Sequence, residues 1–351
     1  MKADHLFHHR DRFELESGSH LPGFQLKYTT YGALNADRSN VVWVCHALTG
    51  NSDAPDWWEG LFAAGGAFDA ARYFIVCANA IGGCYGSTGP LSINPDTGKT
   101  WYHTFPALTN RDVVLAFDLL REHLGFSRIH SLIGGSLGGQ QVLEWAILRP
   151  AIFKNVIPVA CNAVHSAWGI AFNETQRMAI ELDPGWNEDS PRAGVEGMKV
   201  ARAIAMLSYR THAIYTEQQS EETNDLTSGF RAASYQRYQG QKLANRFNAF
   251  SYHILSRMMD RQNVGRGRPS VEAALGSIRA RTLVVGIDQD ILFPVTEQKF
   301  LAAHIPGAGF SELTTAYGHD GFLVEFEQLN KVIIEFLAGE PVHKPGVATV
   351  S

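Results

Sequence analysis

The sequence predicts an α/β protein with a mostly parallel central sheet and a helical insertion, on three observations. Short apolar runs, often rich in Val and Ile, recur at 41–45, 73–78, 129–133, 156–160 and 282–287. Runs of this length and continuity fit strands buried on both faces. Helical patterns separate them, the alternation that lays helices over both faces of a sheet. Residues 165–268 break the alternation, being rich in Met, Gln, Arg and Tyr with no central-strand pattern.

Taken in order, the strand at 41–45 runs into Cys45-His46-Ala47-Leu48-Thr49-Gly50, and a second strand follows at 73–78. The next segment, 112–124, carries Val113, Leu115, Ala116, Leu119 and Leu120 at helical spacing. The strand at 129–133 leads through a Gly-flanked Ser136 into a helix over 140–148, which Pro150 stops. After the strand at 156–160 come the helix-like stretches 197–209 and 235–250. Strand patterns resume at 282–287, and 309–313 reads as the last short strand. Residues 1–164 and 269–351 therefore form the core, and 165–268 a helical lid inserted over it, suited to shaping a site and excluding water.

The bulk numbers bound the function. A chain of 351 residues, 45% hydrophobic and 19% charged, suits a well-packed globular protein. A net charge of −5 supplies no basic field for nucleic acid, although a local cluster of Lys and Arg can still hold a polyanionic cofactor. Residues 1–10 have no apolar stretch behind them, so no secretory signal is expected, and no segment is long enough to span a membrane. The four cysteines are too scattered for a disulfide framework, and Cys45 and Cys77 read as reduced core residues. Cys84 reads as a packing residue, and a cytoplasmic location is expected.

Gly134-Gly135-Ser136-Leu137-Gly138 fits the G-x-S-x-G elbow, with an apolar strand before it and an amphipathic helix after it. A serine on a sharp strand-to-helix turn needs small neighbours, because the two elements pack closely around a strained backbone. This context points to the α/β-hydrolase fold. A serine hydroxyl needs a base and an orienting acid, which in that fold follow in the order serine, acid, histidine. The strand at 282–287 ends in Asp288-Gln289-Asp290. Asp290, in the turn before the next helix, is preferred as the acid, with Asp288 capping or bracing the loop. His319 follows the last strand and is the expected base. The backbone N–H groups of Leu48 and Leu137 are the candidate oxyanion donors, with His46 fixing the loop rather than reacting. No histidine spacing suggests a metal.

Several stretches together resemble the homoserine O-acetyltransferase family. They are His46-Ala-Leu-Thr-Gly50, Asn79-Ala-Ile-Gly-Gly-Cys-Tyr-Gly-Ser-Thr-Gly-Pro90, the elbow, Gln176-Arg177 with Asp183-Pro184-Gly-Trp186, Asp290-Ile-Leu-Phe-Pro294 and Tyr317-Gly-His-Asp320. Leu137 stands where Met is more usual, a swap of similar volume. The resemblance implies Ser136, Asp290 and His319 as a triad, acetyl-CoA as acyl donor with no permanently bound cofactor, L-homoserine as acceptor, and a homodimer. It also implies Arg177 and Asp320 as the residues that hold the amino acid. A planar guanidinium suits the carboxylate of such a substrate, and an aspartate its ammonium. Three other readings use the same residues: a succinyl donor or a serine acceptor, a plain serine esterase, and a hydrolase-fold binding protein without activity.

Overall fold

The computed structural model describes residues 2–223 and 225–340. Its eight-stranded sheet contains β1 (Ala3–His9), β2 (Phe24–Tyr31), β3 (Val41–Cys45), β4 (Phe74–Ala78), β5 (Ile129–Gly135), β6 (Phe153–Val159), β7 (Arg281–Ile287) and β8 (Gly309–Leu313). The spatial order is β1-β2-β4-β3-β5-β6-β7-β8. Strands β3 to β8 are parallel, while β2 pairs antiparallel with both β1 and β4.

Burial on both faces accounts for the apolar runs. In β3 every residue is fully buried; Val41, Trp43 and Cys45 join the core on one side, and Val42 and Val44 the core on the other. The period-2 alternation of a strand produces that division. On the first side Trp43 packs edge-to-face with Trp145, their ring centroids 5.0 Å apart. On the second, Trp58 meets Phe322 in the same manner.

Helix α1 (Asn110–His123) begins at a reciprocal capping box between Thr109 and Asp112, and α2 (Leu137–Leu148) begins at Ser136 itself. Between β6 and β7 lie α3 (Ala167–Glu181), α4 (Val195–Tyr209), α5 (His212–Gln219), α6 (Arg231–Ala244) and α7 (Ala249–Asp260). This insertion is closed at its root by an antiparallel bridge between Val164 and Asn263. Helices α3 and α4 form a tight hairpin, in which a Cβ on Gly197 would lie 2.3 Å from the Ala179 carbonyl oxygen. Helices α8 (Val295–His304) and α9 (Phe326–Ala338) complete the core.

Two expectations change. The stretch 235–250 is not one helix: α6 ends at Ala244, and α7 starts anew because the Asn248 side chain accepts from the Ser251 N–H. Strands β1 and β2 also had no expected counterpart. In β1 only Phe7 is buried, so an edge strand bearing three histidines gives little apolar signal.

Candidate active site

The elbow forms because glycines allow three chain segments to converge. Ser136 has φ 57° and ψ −124°, a left-handed backbone rare for a residue with a side chain. A Cβ on Gly138 would sit 2.1 Å from the Cys45 carbonyl oxygen, and one on Gly134 2.6 Å from the Gly138 backbone. Only glycine permits β3, β5 and α2 to meet so closely. The turn lifts the Ser136 side chain above the carboxyl end of β5.

His319 Nε2 lies 2.9 Å from Ser136 Oγ, and His319 Nδ1 2.6 Å from Asp290 Oδ2. The other oxygen of Asp290 accepts from the backbone N–H groups of Leu292 and Phe293, at 2.8 Å each. One carboxylate thus fixes both its own turn and the imidazole. Asp288 does the bracing expected of it, accepting from the Thr315 N–H at 3.1 Å. This linkage is the arrangement that raises the nucleophilicity of a serine hydroxyl and returns the proton to a leaving group.

His46 is buried beneath the loop after β3. Its Nε2 accepts from the Ala80 N–H at 3.0 Å, so Nδ1 carries the proton and donates to the Ala47 carbonyl at 2.8 Å. Burial pushes its pKa below the ordinary value, partly opposed by the Ala47 contact. The ring clamps the loop and does not reach the cavity. Leu48 lines that cavity, and Leu137 holds the first position of α2, where a backbone N–H has no partner within the helix.

The cavity above Ser136 encloses about 160 Å³. The core lines it with His319, Asp320 and the loop 47–50, and the insertion with Arg202, Tyr209 and Arg246. Arg246 donates to the Thr49 carbonyl at 2.7 Å and to the Tyr85 hydroxyl at 2.5 Å, tying the insertion to the loop. Tyr209 sets its ring 5.7 Å from that of His319.

Arg177 is not in this cavity. It is 3% exposed, donates to Glu174 and Ser256, and is ion-paired with Asp260. The packing of α3 on α7 turns its guanidinium toward Asp260, where it braces the insertion. Two guanidiniums line the cavity instead: Arg246, held by Thr49 and Tyr85, and Arg202, which sequence reasoning missed. Arg202 stands over the Tyr209 ring at 5.3 Å and has no carboxylate partner among the described residues. Seven residues, two helical turns, separate Arg202 from Tyr209 and place both on one face of α4. Asp320, which follows His319 in the chain, lines the same cavity. No group of three or more His, Cys, Asp or Glu side chains among the described residues is placed to hold a metal.

Residues 40–326 match the family model described as the alpha/beta hydrolase fold. The chain is 50% identical over 331 residues to a homoserine O-acetyltransferase of Cyclobacterium marinum, with 94% of each chain covered. Among solved structures, a homoserine O-acetyltransferase from Bacillus anthracis aligns with a TM-score of 0.89 at 24% identity, covering 98% of this chain and 99% of that one. An esterase, E22, aligns at 0.87 and also 24% identity, covering 96% and 100%. Likeness at that identity establishes the fold alone, which transferases and esterases share; the sequence match along nearly the whole chain is narrower, and by it the chain belongs to the homoserine O-acetyltransferase family.

Proposed function

We propose that the chain carries out a two-step transfer of acetyl from acetyl-CoA to the hydroxyl of L-homoserine, through an acetyl-Ser136 intermediate. The observation that carries this reading is the content of one cavity: a serine hydrogen-bonded to a histidine, with the Asp320 carboxylate and two guanidiniums beside them, of which Arg246 is held by Thr49 and Tyr85 and Arg202 is left to face a ligand. An α-amino acid presents one carboxylate and one ammonium. Arg202 is the complement of the first and Asp320 of the second, in place of the Arg177 expected from sequence.

In the first step Ser136 Oγ attacks the thioester carbonyl carbon while its proton passes to His319 Nε2. The N–H groups of Leu48 and Leu137 hold the developing oxyanion. The C–S bond then breaks, and His319 gives the proton to the departing CoA thiolate. In the second step the homoserine hydroxyl loses its proton to His319 and attacks the acetyl carbonyl carbon. The bond to Oγ breaks and the proton returns to Ser136. Asp290 orients the imidazole throughout. No resident cofactor or metal takes part. Transfer outruns hydrolysis because the insertion covers the cavity and the two charged groups fix the acceptor hydroxyl near the acyl carbon.

The same reading assigns the protein to a reducing compartment, the cytoplasm, in keeping with four unpaired cysteines. It also takes the enzyme as a homodimer. Met178 and Leu182 on or just past α3, with Val200 and Leu207 on α4, leave apolar side chains 53–80% exposed on one helical hairpin. A second copy of that hairpin is a suitable cover.

The test is release of free CoA thiol from acetyl-CoA with and without L-homoserine, with succinyl-CoA and L-serine run in parallel. Release that depends on homoserine and acetyl-CoA is the expected result. Preference for another donor or acceptor would keep the chemistry and change the substrate. Release indifferent to every amino acid would make the protein an esterase.

A further inference from the structure

Asp320 is not free to turn. Its Oδ2 accepts from Arg210 Nε at 3.0 Å, whereas its Oδ1 has no donor among the described residues. Arg210 stands just past the end of α4 and is itself held from two further helices of the insertion. Its Nη1 donates to Gln218 of α5 at 3.2 Å, and its guanidinium lies 5.7 Å from the Tyr235 ring centre of α6. The Asp320 carboxylate pushes its pKa up against the opposing effect of burial. The neighbours of Arg210 dock on the same loop of the core. The Thr211 hydroxyl donates to the Ala316 carbonyl, and Gly318 is backed by the Thr211 methyl and the Tyr209 carbonyl. Three consecutive residues of the insertion therefore clasp the segment that carries His319 and Asp320.

We infer that Arg210 is a positioning residue that sets acceptor specificity: it engages one oxygen of Asp320 and presents the other to the α-ammonium of the acceptor. A carboxylate has lone pairs enough for both partners, so Arg210 orients Asp320 without using up its capacity to bind a cation. An aspartate held in one rotamer also loses less freedom when the ammonium arrives. The inference rests on the proposed role of Asp320. It goes further by assigning discrimination between amino and des-amino acceptors to a residue that does not touch the substrate.

The experiment compares L-homoserine with 4-hydroxybutyrate, the same hydroxy acid without its ammonium, in wild type, Arg210→Met, Arg210→Lys and Asp320→Asn. Two readouts are taken: kcat/KM for each acceptor, and the first-turnover release of CoA thiol without acceptor. In Arg210→Met the preference for homoserine is expected to fall on the order of tenfold, as for loss of one oriented charge-assisted contact. First-turnover release stays at the wild-type rate, and Arg210→Lys recovers part of the preference. A preserved preference in Arg210→Met, alongside its loss in Asp320→Asn, would overturn the inference and leave the role of Asp320 standing. A fall in first-turnover release parallel to the fall in kcat/KM would also overturn it, reducing Arg210 to a structural brace. A preserved preference in Asp320→Asn would remove the underlying reading itself.

Discussion

Two arginines in the insertion differ less in sequence than in circumstance. Arg177 is buried among Glu174, Ser256 and Asp260, whereas Arg202 faces the cavity with no carboxylate partner among the described residues. Their truncations should therefore separate. Arg202→Met is expected to raise the KM for homoserine on the order of tenfold or more, with first-turnover thiol release intact. Arg177→Met leaves Asp260 as an uncompensated carboxylate inside the fold, a change that typically costs about 3–5 kcal/mol. It should show first as a lower denaturation midpoint. Steady-state kinetics with homoserine and a urea titration on both variants check the pair. An Arg177 variant of normal stability with a raised homoserine KM would return that residue to the site.

At the scale of elements, the elbow depends on β3, β5 and α2 approaching at distances no side chain allows. Gly138 is the tightest point, because its Cβ would overlap the Cys45 carbonyl oxygen. Gly138→Ala must move α2 or β3, and overpacking of this kind typically costs about 1–3 kcal/mol. Since Cys45 leads directly into the loop bearing Leu48, the shift should also lower acylation more than it lowers homoserine binding. Urea denaturation with first-turnover thiol release tests both parts. Unchanged acylation would mean the loop bearing Leu48 is not tied to this packing. At the same scale, the motifs were legible where a pattern is local. The sequence marked five of the six parallel strands as buried runs and the sixth, β8, as the last short strand, each within a few residues of its observed position. It also marked the turn at Ser136 and the loops carrying Asp290 and His319. The break between α6 and α7 was hidden, because Asn245 to Asn248 interrupts the helical pattern with residues that helices also tolerate.

For the molecule as a whole, one carboxyl makes stability depend on pH. Burial pushes Glu297 from its ordinary 4.5 up to about 7, aided by nearby Asp290 and opposed by hydrogen bonds from Asn162 and Ser166. Between those values the folded chain holds this proton more tightly than the unfolded chain. The contribution to stability therefore falls as pH rises from 4.5 toward 7 and is level above. The full shift would correspond to about 3 kcal/mol; because the group is partly exposed, on the order of 1 kcal/mol is the realistic size. Glu297→Gln keeps the side-chain shape and should be the more stable protein above pH 7, by that amount, in denaturant titrations at pH 5 and pH 8. Equal differences at the two pH values would refute the assignment. Assembly is the second property at this scale. Leu182→Glu with Val200→Glu should convert a homodimer into monomers in light scattering, and a monomeric wild type would leave the exposed hairpin face without that role.

The α/β class was legible in the sequence alone, and so were Ser136, Asp290 and His319 as residues expected to meet, which the structure brings within hydrogen-bonding distance. These are properties of local pattern and chain order, which a one-dimensional string records directly. Tertiary structure decided which side chains of the insertion reach the cavity. Arg177 and Arg202 both lie on amphipathic helices, and nothing local tells a guanidinium that will pair inside the insertion from one that will face Ser136. The rotation of α3 onto α7, and of α4 over His319, makes that choice. The same docking brings Arg210 to Asp320 across 110 residues of chain, a meeting that only the packed molecule contains.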